Sequence, residues 1–368
     1  MIISIILFTV CWIITYHFAK THFNNHYQQY ARRERFVDKN KMPILIVIVI
    51  SLFCTFYNYY ITAYGSGFGS DRQNYLEAFE TGRPESPGLD VFIIIIKLMG
   101  GEYTDLLYIS TFVTIFIVLL AYRYSKNATP YTILLLFLTS LVFQSFTAIK
   151  QTYTTAFATL FFVLMFEKNG ILKDAICILL IVLSCLFHAT GYILIPIYIL
   201  IKSKIQFKSP LKLMLVALLF VFLFKPIMLF IAQYTNSVFP YLSLKILDYF
   251  GEDSDASEGS IIQIFKGIPF YYITYLCFKY STRLRSEIKQ FDTYLILTLF
   301  ASLCYVSSFY NVWMMRMVDL FSFIVFVFWT ISVQYLPNPK AKKRNAALIL
   351  ALFTYRWLIM IYINFGTF

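Results

Sequence analysis

Apolar runs close to the length a bilayer demands recur along almost the whole chain, and no other feature constrains its fold as much. A helix crossing the hydrocarbon core needs about 20 apolar residues. Runs that meet or approach this length lie near 2–19, 43–62, 104–122, 130–149, 151–167, 174–201, 210–232, 261–281, 292–312, 316–336 and 346–366. Of the 368 residues, 59% are hydrophobic and only 14% are charged, against about 25% charged in an ordinary soluble domain. Too few polar side chains remain to cover a water-facing surface, so a soluble enzyme is excluded. No polar stretch is long enough for a separate nucleotide-binding or catalytic domain. One integral membrane domain over residues 1–368 is expected.

The net charge of +12 does not point to nucleic acid, because the basic residues cluster between the apolar runs, as the positive-inside rule requires of cytoplasmic loops. The first run has no basic residue before it and no small-residue cleavage site after it, so it reads as a span and not as a cleaved signal. Lys20, Arg32, Arg33, Arg35, Lys39 and Lys41 then hold the next loop in the cytoplasm and leave the N-terminus outside. Arg123, Lys126, Lys168 and Lys173 fall inside by alternation.

The stretch 174–201 is too long for one pass. As a single helix it would measure about 40 Å against a core of about 30 Å. It would also put Lys202, Lys204, Lys208 and Lys212 outside. Two short helices broken at His188-Ala189-Thr190-Gly191 remove both problems and place His188 at an outward tip. Lys279, Arg283, Arg285, Lys289, Lys340, Lys342, Lys343 and Arg344 then all lie inside. The expected fold is an all-α polytopic membrane protein of about 12 transmembrane helices, counting this short hairpin as two. Residues 63–103 form an outer loop with an interfacial or re-entrant helix near 87–100. Residues 233–260 form an outer acidic loop carrying Asp248, Glu252, Asp253, Asp255 and Glu258 against Lys245.

Nine basic residues are left over by this topology: Arg72, Arg83, Lys97, Lys150, Lys225, Lys245, Lys266, Arg316 and Arg356. An ionisable side chain within a span costs a few kcal/mol and marks a functional site by default. Lys150, Lys225, Lys266 and Arg316 come near the outer membrane boundary, where cations suit an anion held at headgroup depth, such as a lipid diphosphate. Arginine offers a planar fork to two phosphate oxygens and lysine a point charge. The plainer reading of each lysine is snorkelling towards water, and Asp319 offers Arg316 a structural partner one turn on.

His188 stands apart from His17, His22 and His26, which cluster near the first cytoplasmic loop. At the tip of a broken helix it suits proton transfer with a hydroxyl, or simply a hydrogen bond to a loop carbonyl. Asp71, in the glycine-rich stretch 65–75, is either a helix cap or a carboxylate that binds sugar hydroxyls or orients His188. The six cysteines all sit in apolar runs without CxxC spacing, which predicts neither a disulfide framework nor a metal site. No cofactor is expected. The 39 phenylalanines and 29 tyrosines are read mainly as lipid-facing and interfacial rings.

Taken together these residues resemble the Wzy-type polysaccharide polymerases, in particular the EpsG-like branch of exopolysaccharide and capsule loci. The branch's Gly-x-Asp-x-x-x-Tyr motif is matched by Gly69-Ser70-Asp71-Arg72-Gln73-Asn74-Tyr75. Its Arg-Gln pair before a small-residue helix is matched by Ala148-Ile149-Lys150-Gln151 with Ala156 and Ala158, lysine standing where arginine is common. Its Leu-Phe-His run is matched by Leu186-Phe187-His188, followed by Pro196, and its late-span arginine by Arg316.

The resemblance implies a GT-C-like architecture and metal-independent glycosyl transfer on the outer face of the bacterial cytoplasmic membrane. A glycan on undecaprenyl diphosphate would be passed to the non-reducing end of a lipid-linked repeat unit. His188 and Asp71 would be catalytic. Arg316, Lys150, Arg72, Lys225 and Lys266 would hold the diphosphate, and Gln151 and Tyr75 the glycan. A flippase and a chain-length regulator would be the protein partners. A lipid-linked oligosaccharide flippase, an O-antigen-type ligase and a membrane O-acyltransferase are the alternatives; a flippase would carry two-half symmetry, and no internal repeat is present.

Overall fold

The computed structural model describes residues 44–64, 70–125, 148–167, 170–203, 210–237, 261–308 and 313–365, with a few isolated positions between them. The runs expected at 2–19 and 130–149, the glycines at 65–69 and the acidic part of the 233–260 loop lie outside the described residues. The described residues are helical almost throughout and contain no strand.

In chain order the helices are α1 (Ile44–Tyr64), α2 (Ser70–Thr81), α3 (Pro87–Leu98), α4 (Tyr103–Tyr124), α5 (Ile149–Glu167) and α6 (Ile171–Phe187). A 3-10 turn (Ala189–Ile193) leads into α7 (Leu194–Ser203) and α8 (Pro210–Thr235). Then follow α9 (Ile261–Lys266), α10 (Ile268–Lys279), α11 (Ser281–Glu287), α12 (Phe291–Ser307), α13 (Trp313–Gln334) and α14 (Pro339–Phe365). The chain divides into two compact units, residues 1–197 with 353–368, and residues 198–352.

In the first unit α4 packs between α1 and α5, α5 packs on α6, and α3 lies across α4 and α6. The surface of α6 shows what surrounds it. One face buries Cys177, Leu180, Ile181, Ser184 and Phe187, while the opposite face exposes Ile178, Leu179, Val182 and Leu186. A helix of a soluble protein would be polar on that outer face; an apolar one is suited to lipid. Helices in lipid gain little from the hydrophobic effect and associate through close packing of small residues and interhelical hydrogen bonds. Helix α5 fits this, with Ala156, Ala158, Thr154, Thr155 and Thr159 all buried. The Thr154 hydroxyl donates to the Ser184 carbonyl of α6 at 3.1 Å. Elsewhere hydroxyls bond back along their own helix, as Thr111 does to the Leu107 carbonyl at 2.9 Å, so that polar groups in an apolar setting find acceptors.

In the second unit α13 is central. Its residues 317–332 are buried on every side, and it packs on α10 and α12. Among the described residues two helices, 103–124 and 316–334, are long and apolar enough to cross a membrane. The apolar run at 261–281 is not the single span expected. It breaks at Gly267 into α9 and α10. Pro269, at the start of α10, has no N–H to continue the ladder, and a Cβ on Gly267 would lie 2.7 Å from that of Tyr305. The segment 87–100 is helical as α3, and its amphipathic character shows in Leu89, Ile93 and Ile96 buried along one side.

Candidate functional site

Helices α5 and α6 run antiparallel, so the start of one and the end of the other meet at one end of the first unit. Residues from five chain segments gather there. Helix α2 brings Tyr75, the 82–86 linker Glu85, α3 Gly88, α5 Lys150 and Tyr153, and the end of α6 Phe187; Asp71 and Arg72 lie at the start of α2, and His188 directly follows α6. A cluster of Tyr75, Phe79, Leu89, Ile93, Leu106, Ile149, Tyr153 and Phe187 forms the floor beneath them.

Lys150 meets a partner the sequence did not advertise. Its Nζ lies 2.5 Å from Oε2 of Glu85, with the two side chains 21% and 11% exposed, and it sits 5.6 Å above the Tyr75 ring. A cation over an aromatic face is held by the ring quadrupole, so Tyr75, itself buried, serves as the seat for Lys150. Glu85 is fixed in turn by the flanking Pro84 and Pro87, which restrict the backbone on either side. Its own N–H donates to Asp90 Oδ1 at 3.0 Å. Gly88 lets this linker lie directly on Phe187, since a Cβ there would come within 2.6 Å of the ring. Tyr153 stacks on the same ring with centroids 4.4 Å apart. The chain that follows Glu85 is thereby packed on Phe187, the residue before His188.

Helix α6 stops at Phe187, and His188 adopts an extended backbone with φ −153° and ψ 143°. Its side chain caps the 3-10 turn. Nδ1 accepts the Thr190 N–H at 3.2 Å and lies 3.0 Å from the Thr190 hydroxyl. Because a backbone N–H can only donate, the neutral ring carries its proton on Nε2. The chain has already turned here, for Gly191 rests on the Ser184 and Cys185 backbone, where a Cβ would lie 2.5 Å from the Ser184 carbonyl carbon.

Asp71 is in the first turn of α2, where a carboxylate complements the helix dipole, and it lies one turn before Tyr75 on the same side. The Arg72 carbonyl accepts the Tyr103 hydroxyl at 3.0 Å, tying α2 to α4. Gln151 is buried directly after Lys150. Two other leftover cations have local explanations: Arg83 pairs with Glu77 at 3.0 Å, and Lys97 lies 5.0 Å from the Phe79 ring centroid. Arg356 is buried in the first unit.

Arg316, Lys225 and Lys266 belong to the second unit. Arg316 is half-buried in the first turn of α13, with Asp319 buried one turn on. Lys266 is buried at the end of α9. Lys225 is exposed on α8. The residue that sequence reasoning missed is Glu85. The signal for it was the run Pro84-Glu85-Ser86-Pro87, a carboxylate held rigid between two prolines in the 63–103 segment that also contains Arg72.

A helical body with lipid-suited faces and a polar cluster at one end defines an integral membrane protein with a site built from helix termini. The EpsG family model matches residues 47–368, and the chain belongs to that family. Membership points to a polysaccharide polymerase of the glycosyltransferase type. No curated protein matches the chain.

Proposed function

We propose that this protein polymerises lipid-linked oligosaccharide repeat units on the outer face of the bacterial cytoplasmic membrane, without a metal. The growing glycan leaves undecaprenyl diphosphate and joins the non-reducing end of the next lipid-linked unit. The observation that carries this reading is the family match across 47–368, which takes in every residue of the cluster around Lys150 and His188. The activated sugar arrives on lipid, in keeping with a sequence whose polar stretches are all too short for a nucleotide-binding domain.

Lys150 and Arg72 of the first unit are the cations proposed for the diphosphate, where preorganised charge stabilises the negative charge developing on the leaving group; Arg316, Lys266 and Lys225 are proposed for it from the sequence alone. Tyr75 and Gln151 are the glycan candidates read from the sequence; both are buried beside Lys150, Tyr75 beneath its ammonium. The tautomer of His188 divides the proton work. Its Nε2–H donates to a substrate oxygen, and the proton of the acceptor hydroxyl goes to a carboxylate: Asp71 is the candidate read from the sequence, and Glu85 the one that the fold brings to Lys150. The flippase alternative and the polymerase are separated by analysis of lipid-linked glycan in a deletion strain. Loss of a polymerase leaves single repeat units on the outer face; loss of a flippase leaves them on the cytoplasmic face. Single units confined to the cytoplasmic side would overturn the proposal.

A further inference from the structure

The pairing of Lys150 with Glu85 sets two requirements against each other. A diphosphate needs the Lys150 ammonium, yet Glu85 already holds it at 2.5 Å. Stability alone is a weak reason to keep such a pair, since desolvation offsets most of the Coulomb gain of a largely buried ion pair. The pair is also placed for use. Lys150 sits at the start of α5, on the Tyr75 ring, and the chain that follows Glu85 packs through Gly88 on Phe187, the residue before His188.

Resting on the polymerase reading above, we propose that Lys150 and Glu85 are an exchange pair in which the donor diphosphate takes the ammonium from Glu85 and the released carboxylate accepts the proton of the acceptor hydroxyl. While Oε2 is committed to Nζ it is not available to a hydroxyl. Once the diphosphate occupies Nζ, that oxygen turns to the acceptor sugar. In the transfer step the acceptor oxygen bonds to the anomeric carbon as the bond from that carbon to the diphosphate oxygen breaks. The hydroxyl proton passes to Glu85, and the electron pair leaves on the diphosphate, where Lys150 meets it. Proton acceptance by that oxygen therefore follows donor binding. Lysine at this position suits the task better than arginine, because a single-point cation on a flexible stem changes partners more readily than a forked guanidinium.

The experiment uses full-length protein in lipid nanodiscs. It measures binding of geranylgeranyl diphosphate as a lipid diphosphate probe, and elongation of lipid-linked repeat units extracted from a strain lacking the polymerase. Glu85→Gln removes the competing anion, so it binds the probe about tenfold more tightly, the scale of one charge-assisted hydrogen bond. It also elongates about 10²-fold or more slowly, the contribution of a general base. Lys150→Met weakens probe binding. A carboxylate that only holds the linker in place predicts the opposite split, with Glu85→Gln binding the probe no better than wild type; that result overturns the exchange. Glu85→Gln elongating at the wild-type rate overturns the proton step. If Glu85→Gln does not reach the membrane, Glu85→Asp carries the test, because its shorter reach weakens the pair and tightens probe binding while elongation falls. Tighter probe binding in Glu85→Gln together with a wild-type protein that elongates nothing overturns the polymerase reading and leaves the exchange standing.

Discussion

Two groups of basic residues look alike in sequence and differ in the folded protein. At the Lys150 end of the first unit, the cation is largely buried and its partner Glu85 comes from another segment of the chain. In the second unit, Lys279 lies 5.5 Å from the Tyr275 ring and 5.8 Å from the Tyr280 ring, on its own and adjoining residues. Arg285 there pairs with Asp292 at 2.7 Å, only seven residues away. The second group has contacts local in sequence, as expected of positive-inside anchors, with Lys279 exposed and Arg285 about a third exposed, while the first is assembled from parts that have no reason to meet except the tertiary fold. A cation's charge does not tell these roles apart; the sequence distance to its partner and its burial do.

The sharpest way to break this comparison lies in the second unit itself. Arg316 is half-buried at the start of α13 and is assigned to the diphosphate, so Arg316→Ala should nearly abolish polymer, and Arg316→Lys should retain part of it. The check is glycan chain length on gels at equal membrane insertion. An Ala variant that polymerises normally would return Arg316 to the anchoring group.

The next effect is at His188. His188→Ala loses both the cap and the ring proton, and should lower elongation by about 10²–10⁴-fold. His188→Asn restores a good cap, since asparagine is among the best N-cap residues, but supplies no imidazole. If the site needs only the cap, Asn elongates at the wild-type rate. If it needs the ring, Asn folds with normal thermal stability and still fails to elongate.

A smaller loss is expected from Gly191→Ala, which tests whether the turn holds His188 in place. The added methyl meets the Ser184 and Cys185 backbone, which cannot move aside as a side chain can, so overpacking should cost about 1–3 kcal/mol. The readout is thermal unfolding in detergent, with elongation falling in step. The smallest effect belongs to the anchoring group. Lys279→Gln should change stability by less than about 0.5 kcal/mol, as exposed substitutions away from special features do, and leave elongation by purified protein unchanged.

Several elements were legible because their causes are local. The break at His188 follows from an apolar run too long for one pass with lysines on both flanks, and α6 does end at Phe187. Asp71, one of whose expected roles was a helix cap, lies in the first turn of the helix that starts at Ser70. The division of 261–281 was missed although Gly267 and Pro269 were in plain view; hydropathy averages over the break, which Pro269 favours because it has no N–H to continue the ladder. Glu85 was missed for a different reason. The cations were counted by whether topology explained them, and the carboxylates of the same loop were not weighed as their partners.

By itself, the sequence determined that this chain is helical and suited to a membrane, where one long apolar run must break, and which cations the topology leaves over. These follow from chain-local physics: transfer of apolar residues into lipid, helix length against bilayer thickness, and proline's missing N–H. Only the tertiary structure decided that Lys150 meets Glu85 across 65 residues, that Tyr75 lies beneath the pair, and that His188 spends Nδ1 on the Thr190 N–H. In a chain with so few polar residues, several pairings satisfy the same charges equally well. The choice among them is made by how α3, α5 and α6 pack, and that packing leaves no periodic trace in the sequence.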